Sequence, residues 1–350
     1  MRIHPLSLLL ACSLATPLLA QEDAVRIPGL RSLTVTGEYR LRYENFYNYD
    51  FNSDAGDDRD FVGQRFRLGF DAEVNDNLSA FVIFQDVRFW GMETSTTDGS
   101  ADMFDVREAR LTWRNTPLGG TATIGRQRLI FGDERLVGQL EWQHQGRAFD
   151  GVRHTWEEED SHQVDVFVTQ VAELGRPTAP GGPGYSDSRF LGVHGSLNKW
   201  DDTELDLYWL FLHDEETAAG GNEARSTVGV RFVQQAGALE FGTEVAAQFG
   251  EENNADADFG DVYALHAHLK WTFDGSTRPY ARAEVNYATG DDPNTSGNER
   301  FKNLFPTAHG IWGHMDFMFW ENVLHGTVEF GMQPDTNSKL SVAFLLKPKS

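Results

Sequence analysis

The chain has a single cysteine, Cys12, so beyond the first dozen residues neither a disulfide nor a thiolate metal site can form. It has no apolar run approaching the roughly 20 residues that a membrane-crossing helix needs, which excludes helical insertion. Lysine is scarce: the basic side chains are 24 arginines against 6 lysines. Positive charge is scarce altogether, with a net charge of −23, which argues against nucleic-acid binding. There is no Gly-x-Ser-x-Gly elbow and no His-Glu-x-x-His helix, and His194-Gly195-Ser196 has no evident acid partner. No catalytic residue, metal ligand or cofactor is therefore assigned. His266 and His268 share one face at period two, but two imidazoles without a third ligand read as wet side chains. Asp50, Asn52, Asp54 and Gly56 approximate a calcium loop, yet the glycine is one position late and Phe61 stands where a bidentate acid is needed.

What is present begins with Arg2, a leucine-rich run from Leu6 to Leu14, the helix breaker Pro17 and small Ala20 before Gln21. This reads as a secretory signal peptide cleaved after Ala20. Leu9-Leu10-Ala11-Cys12 looks like a lipoprotein cleavage box, but too few residues precede the cysteine to supply its apolar core. Losing Arg2, the only charged side chain among residues 1–20, leaves the mature chain at −24.

From Leu33 to Leu346 the chain is a succession of fifteen segments of about ten residues that alternate apolar and polar side chains. The joints between them switch between short and long. Asn75 to Asn77, Pro117 to Gly120, Glu158 to Ser161, Lys199 to Asp201, Gln234 to Gly237, Asp274 to Thr277 and Gln333 to Asn337 are short; Asn45 to Asp60 and Gly290 to Trp320 are long. That sorting predicts an all-β fold, an antiparallel transmembrane β-barrel of about 16 strands (range 15–18) with short periplasmic turns and long external loops. No linker divides the chain, so the expected organisation is a signal peptide at 1–20, an N-terminal periplasmic segment at 21–31 and one barrel at 32–350. A closed single-chain barrel normally needs an even strand count. A further strand is thus expected within Asn303 to Trp320 or Gln21 to Arg31, unless the closing strands are missing. Gly175 to Tyr185, with three prolines and four glycines, predicts a loop that forms neither strand nor helix.

Strand parity sorts side chains onto two faces. Leu33, Val35, Tyr39, Leu41 and Tyr43 oppose Glu38, Arg40, Arg42 and Glu44; Phe66, Leu68 and Phe70 oppose Arg65, Arg67 and Asp71. An arginine facing lipid costs roughly 2–4 kcal/mol at the bilayer midplane, so the arginines are assigned inward. The same logic places Arg110, Arg147, Arg153, Arg231 and Arg282 on the inner face. In Thr121 to Phe131 alternation would put Arg126 and Arg128 in lipid, so a β-bulge at Gly125 is expected to turn Arg126 inward. Inward carboxylates such as Glu38, Glu44, Asp71 and Glu108 offer these arginines partners, so some serve to stiffen the wall and some to touch solute.

The runs Phe84-Gln85-Asp86-Val87-Arg88, Val106-Arg107-Glu108-Ala109, Ile124-Gly125-Arg126-Gln127-Arg128, Phe149-Asp150-Gly151-Val152-Arg153 and Asn303-Leu304-Phe305-Pro306-Thr307-Ala308-His309 resemble those of the alginate export family. The resemblance implies an outer-membrane barrel of a Gram-negative cell, and in the best-known branch a passive, selective channel for anionic polysaccharide with an arginine-lined constriction. By motif position it adds Arg88, Arg107 and Arg126 to the lining set, and Arg153 after them. Arg107 shares the parity of Ala109 and Leu111, so this carry-over requires a bend in its strand.

The leading expectation is a channel for an anionic saccharide, in contact with outer-membrane lipid and lipopolysaccharide; export of a polymer would add periplasmic partners. The alternative is a general or small-anion diffusion porin, and a barrel enzyme or closed scaffold comes third. A wide basic lumen would favour the first and a narrow one with opposed acidic and basic arcs the second.

Overall fold

The computed structural model describes residues 27–46, 59–91, 104–159, 161–171, 188–214, 222–252, 255–292, 294–295, 297–313, 318–335 and 338–346. The expected signal peptide, the acidic stretch at 50–58 and the proline–glycine stretch at 175–185 lie outside these residues. Among the described residues fifteen strands follow one another: β1 (Ser32–Phe46), β2 (Arg59–Asn75), β3 (Leu78–Trp90), β4 (Phe104–Arg114), β5 (Thr121–Gln127), β6 (Phe149–Glu158), β7 (His162–Gln170), β8 (Arg189–Leu197), β9 (Thr203–Asp214), β10 (Glu223–Ala236), β11 (Leu239–Glu252), β12 (Ala255–Thr272), β13 (Tyr280–Ala288), β14 (Val323–Asp335) and β15 (Ser338–Leu346). One five-residue helix, α1 (Ala308–Trp312), precedes β14.

The joints keep the short–long alternation with one exception. β11 and β12 run on until only residues 253–254 separate them, so the acidic run of Glu251, Glu252, Asp256, Asp258 and Asp261 belongs to strands. The tight joints use local chemistry. At Asp76-Asn77 the Asn75 side-chain oxygen accepts from the amides of Asn77 (2.9 Å) and Leu78 (3.0 Å), an Asx-type turn.

The residues group into two compact units. The first holds β1 to β4 with Gly125–Arg128 and Leu140–Ala148; the second holds Asn115–Ile124, Leu129–Gln139 and everything from Phe149 onward. In the first unit β1, β2, β3 and β4 pair antiparallel in chain order. In the second, β6 to β15 do the same.

Each unit has an apolar and a polar face. In the first, Tyr39 pairs with Phe66 and Tyr43 with Val62 on the exposed apolar side, while Glu38 pairs with Arg67 and Arg40 with Arg65 on the other. In the second, Val230 opposite Leu207 and Leu269 opposite Ala283 alternate with Arg231 opposite Asp206 and Lys270 opposite Arg282. Exposed indoles stand near strand ends, Trp90 and Trp113 in the first unit and Trp200 and Trp271 in the second, as amphipathic rings do at a membrane interface.

The second unit also has a core on its polar side. Leu129, Phe131, Leu136 and Val137 pack with Phe149, Phe167, Phe190, Leu210, Phe301, Trp312 and Trp320. No strand forms between Asn303 and Gly313, within one of the two stretches, Asn303 to Trp320 and Gln21 to Arg31, offered for a further strand; the chain is irregular there and then enters α1. The strand read from Thr121 to Phe131 ends at Gln127, after which Leu129 and Phe131 enter this core.

Candidate functional site

In the first unit the site is a wall of guanidinium groups wrapped around a non-repetitive segment. Leu140 to Ala148 has no alternation and forms no strand, so its peptide carbonyls need outside donors. Arginine, with five N–H groups on one rigid plane, can serve several at once. Arg40 donates to the carbonyls of Glu141 (3.0 Å), Trp142 (3.3 Å) and Gln143 (3.1 Å). Arg42 donates to the Trp142 carbonyl, lies 4.1 Å from the centre of its ring and pairs with Glu44 at 2.7 Å. The Glu141 carboxylate takes Arg67 at 2.7 Å, Arg107 at 3.1 Å and Arg65 at 3.2 Å. His144 shares a 3.0 Å hydrogen bond with Glu44 and sits where a Cβ on Gly63 would be, which is why β2 carries glycine there.

Two local irregularities bring motif arginines to this wall. In β3–β4 pairing Ile83 faces Glu108 and Phe84 faces Val106, so Arg107 is the extra residue of a bulge. Arg107 and Glu108 are consequently both buried. Regular parity, which set Arg107 beside Ala109 and Leu111, could not show this. Gly125 has φ +115°, and a Cβ there would overlap the Ala109 carbonyl. Beyond it Arg126 reaches Asp105 (3.5 Å) and the Val106 carbonyl (3.0 Å), while Arg128 pairs with buried Glu108 at 2.8 Å. Arg110 pairs with Glu108 and lies 4.1 Å from the Phe81 ring centre. A cavity of about 340 Å³ is bounded by Glu38, Arg67, Glu108, Arg128 and Glu141.

Electrostatics fix the protonation of the segment. Burial would raise the Glu141 carboxyl, but Arg67, Arg107 and Arg65 together hold it below the usual carboxylate value. Burial lowers the His144 imidazole below its ordinary value; the bond to Glu44 opposes this, and Arg42 and Arg40 add to it.

Two expected lining residues stand elsewhere. Arg88 lies opposite Gln64, on the face of Phe66 and Trp90, and pairs with Asp86 at 3.0 Å. The one-residue offset of β3 puts Gln85 and Val87 on the polar side instead. Arg147 is not on a strand: β6 starts at Phe149, and Arg147 is half-buried in the segment before it.

The second unit has its own inner segment. Leu129–Gln139 is joined to the Asn303 to His309 motif by a parallel bridge between Val137 and Phe305. The Gly138 amide donates to the Phe305 carbonyl (2.8 Å), Phe305 to Leu136 (2.8 Å) and Thr307 to Glu134 (2.9 Å). Arg135 lies buried between Trp312 and Trp320 and donates to Asn286 and Asp133. Arg231 bridges Glu204 and Asp206, each at 2.9 Å. Arg282 pairs with Glu284 at 2.5 Å and Arg153 approaches Asp165 at 3.8 Å. His266 and His268 are hydrogen-bonded to each other (3.0 Å), and no three acidic, histidine or cysteine side chains among the described residues are arranged to hold a metal. A cavity of about 420 Å³ is lined by Asp133, Arg231, Glu240, His268, Lys270 and Arg282, among others.

Residues 31–346 match the family described as alginate export. The chain belongs to that family. It is an outer-membrane β-barrel protein, and its motifs now have places: Val106 to Ala109 forms the bulge, and Asn303 to His309 docks on the second inner segment. No curated protein matches the sequence. Among solved structures it is similar to OccK8 (OprE) of Pseudomonas aeruginosa, at 13% identity over 86% of this chain and 78% of that one, with a TM-score of 0.51. It also aligns with the outer membrane channel DcaP of Acinetobacter baumannii, at 12% identity over 92% of both chains with a TM-score of 0.49.

Sequence reasoning missed two carboxylates and one arginine of the inner segments, Asp133, Glu141 and Arg135. Their signal was a negative one. Residues 128–148 occupy a long-joint position and break alternation while retaining apolar Leu129, Phe131, Leu136 and Trp142.

Proposed function

We propose that this protein is a passive outer-membrane channel for an anionic saccharide, with its polar faces lining the path. The observation that carries this reading is a division of labour among the arginines. Arg42, Arg65, Arg67 and Arg107 are buried and hold Leu140–Ala148 in place. Arg110, Arg126, Arg128, Arg153, Arg231 and Arg282 keep part of their side chains exposed. Planar, weakly hydrated guanidiniums suit repeated, transient contact with carboxylates, and the second set can make that contact without dismantling the wall.

A second reading, a diffusion porin for small solutes, is favoured by the pairing of the same arginines with Glu108, Glu204, Asp206 and Glu284. Paired charges present a nearly neutral wall and weaken selection for a polyanion.

Single-channel recording of the refolded protein in a planar bilayer, under a salt gradient and then with galacturonate trimer, separates the two. The saccharide reading expects anion-selective current blocked by the trimer. Arg128→Ala should weaken that block roughly tenfold, the loss of one charge-assisted hydrogen bond of about 1.4 kcal/mol, while Arg88→Ala should leave it unchanged. Unselective current that ignores uronates would favour the porin.

A further inference from the structure

We infer that Arg65, Arg67 and Arg107 form a carboxylate-binding site for an acidic sugar, and that Glu141 occupies it as an internal stand-in that such a sugar displaces. The inference rests on the proposed function for the identity of the ligand and goes beyond it in naming the site and its resident competitor.

Three arginines from two strands, β2 and β4, converge on one carboxylate that neither strand supplies. A guanidinium needed only to stiffen the wall would be satisfied by wall acids. Glu38 and Glu108 stand next to these arginines, with Glu38 at 2.6 Å from Arg65, yet the cluster still recruits Glu141 from a connecting segment. Charge-assisted contacts of this kind are how proteins hold carboxylate ligands.

The site is also reachable. Glu141 and Arg67 both line the cavity of about 340 Å³, within the range of small-molecule pockets, and the Glu141 side chain is 30% exposed there. Arg128 borders the same cavity and would meet a second carboxylate of an oligomer. Further ties of the segment include its backbone carbonyls on Arg40, Arg42, Arg65, Arg67 and Gln85, together with the His144–Glu44 bond. Hydrogen bonds to a charged group are individually worth about 1.5–3 kcal/mol, so these ties keep the segment attached when the Glu141 contacts are lost, and the loosening is confined to Glu141 and its neighbours.

A tethered competitor acts at an effective concentration in the millimolar range. Replacing it with its neutral isostere, Glu141→Gln, should therefore lower the galacturonate-trimer concentration giving half block by about tenfold. Because this variant leaves guanidiniums with less compensation, a second measurement uses the native glutamate. In a Cys12→Ser background, His144→Cys places a thiol at a position that is buried while the segment is docked. Galacturonate trimer should speed its reaction with a maleimide several-fold, and maltotriose, which is neutral, should not. A block that is present in wild type and unchanged in folded Glu141→Gln, or thiol reaction indifferent to the uronate, would overturn the inference. If the trimer speeds thiol reaction but blocks no current in either protein, the carboxylate site stands and the channel reading falls. If the trimer blocks wild type and Glu141→Gln equally, the channel reading stands and the stand-in role falls.

Discussion

Arg135→Met examines how the inner segment of the second unit is held. Arg135 is 3% exposed, donates to Asn286 at 3.0 Å and to Asp133 at 3.1 Å, and has the Glu244 and Glu284 carboxylates at 4.0 Å. The rings of Trp312 and Trp320 lie 5.6 and 5.4 Å from its guanidinium. Methionine keeps much of the volume and none of the charge. Removing one partner of a buried ion pair costs about 3–5 kcal/mol, because the carboxylates left behind remain desolvated. The two indole contacts are worth about 0.5–1 kcal/mol each and overlap with that figure, so about 4 kcal/mol is expected. The cost should also depend on pH. Burial would raise the Asp133 carboxyl, but Arg135, with His266 and Arg231, draws it below its ordinary value. A group whose pKa is depressed by folding contributes stability above its unfolded pKa, near 4, and loses it as pH falls through the folded value. The Arg135→Met penalty is thus full at neutral pH and shrinks below about pH 4. Urea unfolding of the protein refolded into lipid vesicles, followed by tryptophan fluorescence at about pH 7.5 and about pH 3.5, measures both quantities. A neutral-pH penalty under about 1 kcal/mol, or one equal at the two pH values, would refute the reasoning.

Two further expectations concern the first unit. Gly125→Ala should cost about 1–3 kcal/mol, because the side chain meets a φ of +115° and the Ala109 carbonyl, whereas Gly37→Ala, with nothing near its Cβ, should change stability by no more than about 0.5 kcal/mol; equal effects in urea unfolding would count against the backbone requirement for glycine at position 125. His144 is held neutral mainly by burial, so its contribution to docking is complete above the unfolded imidazole value of about 6.5 and declines as pH falls below it. Protease sensitivity of the 140–148 segment should rise from about pH 6.5 to about pH 5 in the wild type and stay flat in His144→Gln, and identical profiles would remove His144 from the account.

Most of the wall was legible before any coordinates. Period-two alternation survives in a sequence because one face of each strand meets lipid and the other does not, and a charged side chain on the wrong face is expensive. Tyr39 and Phe66 on one side, and Arg40 and Arg65 on the other, follow from that rule alone. The alternation of joint lengths was equally visible, as were the strand count within its range and the family motifs.

Tertiary structure decided what breaks the period. Arg107 faces inward because a bulge adds a residue opposite β3, and a bulge leaves no local signature beyond the residues it uses. Arg88 faces outward because pairing with β2 fixes the register of β3, a relation between strands that no single strand contains. The inner segments are the largest case. Glu141 and Arg135 look like ordinary loop charges in sequence, since nothing periodic marks them, and Arg107 stands 34 positions from Glu141 and Asn286 stands 151 from Arg135. Lipid imposes a pattern on every strand it touches. The interior imposes only complementarity, and that is written in space between residues far apart in the chain.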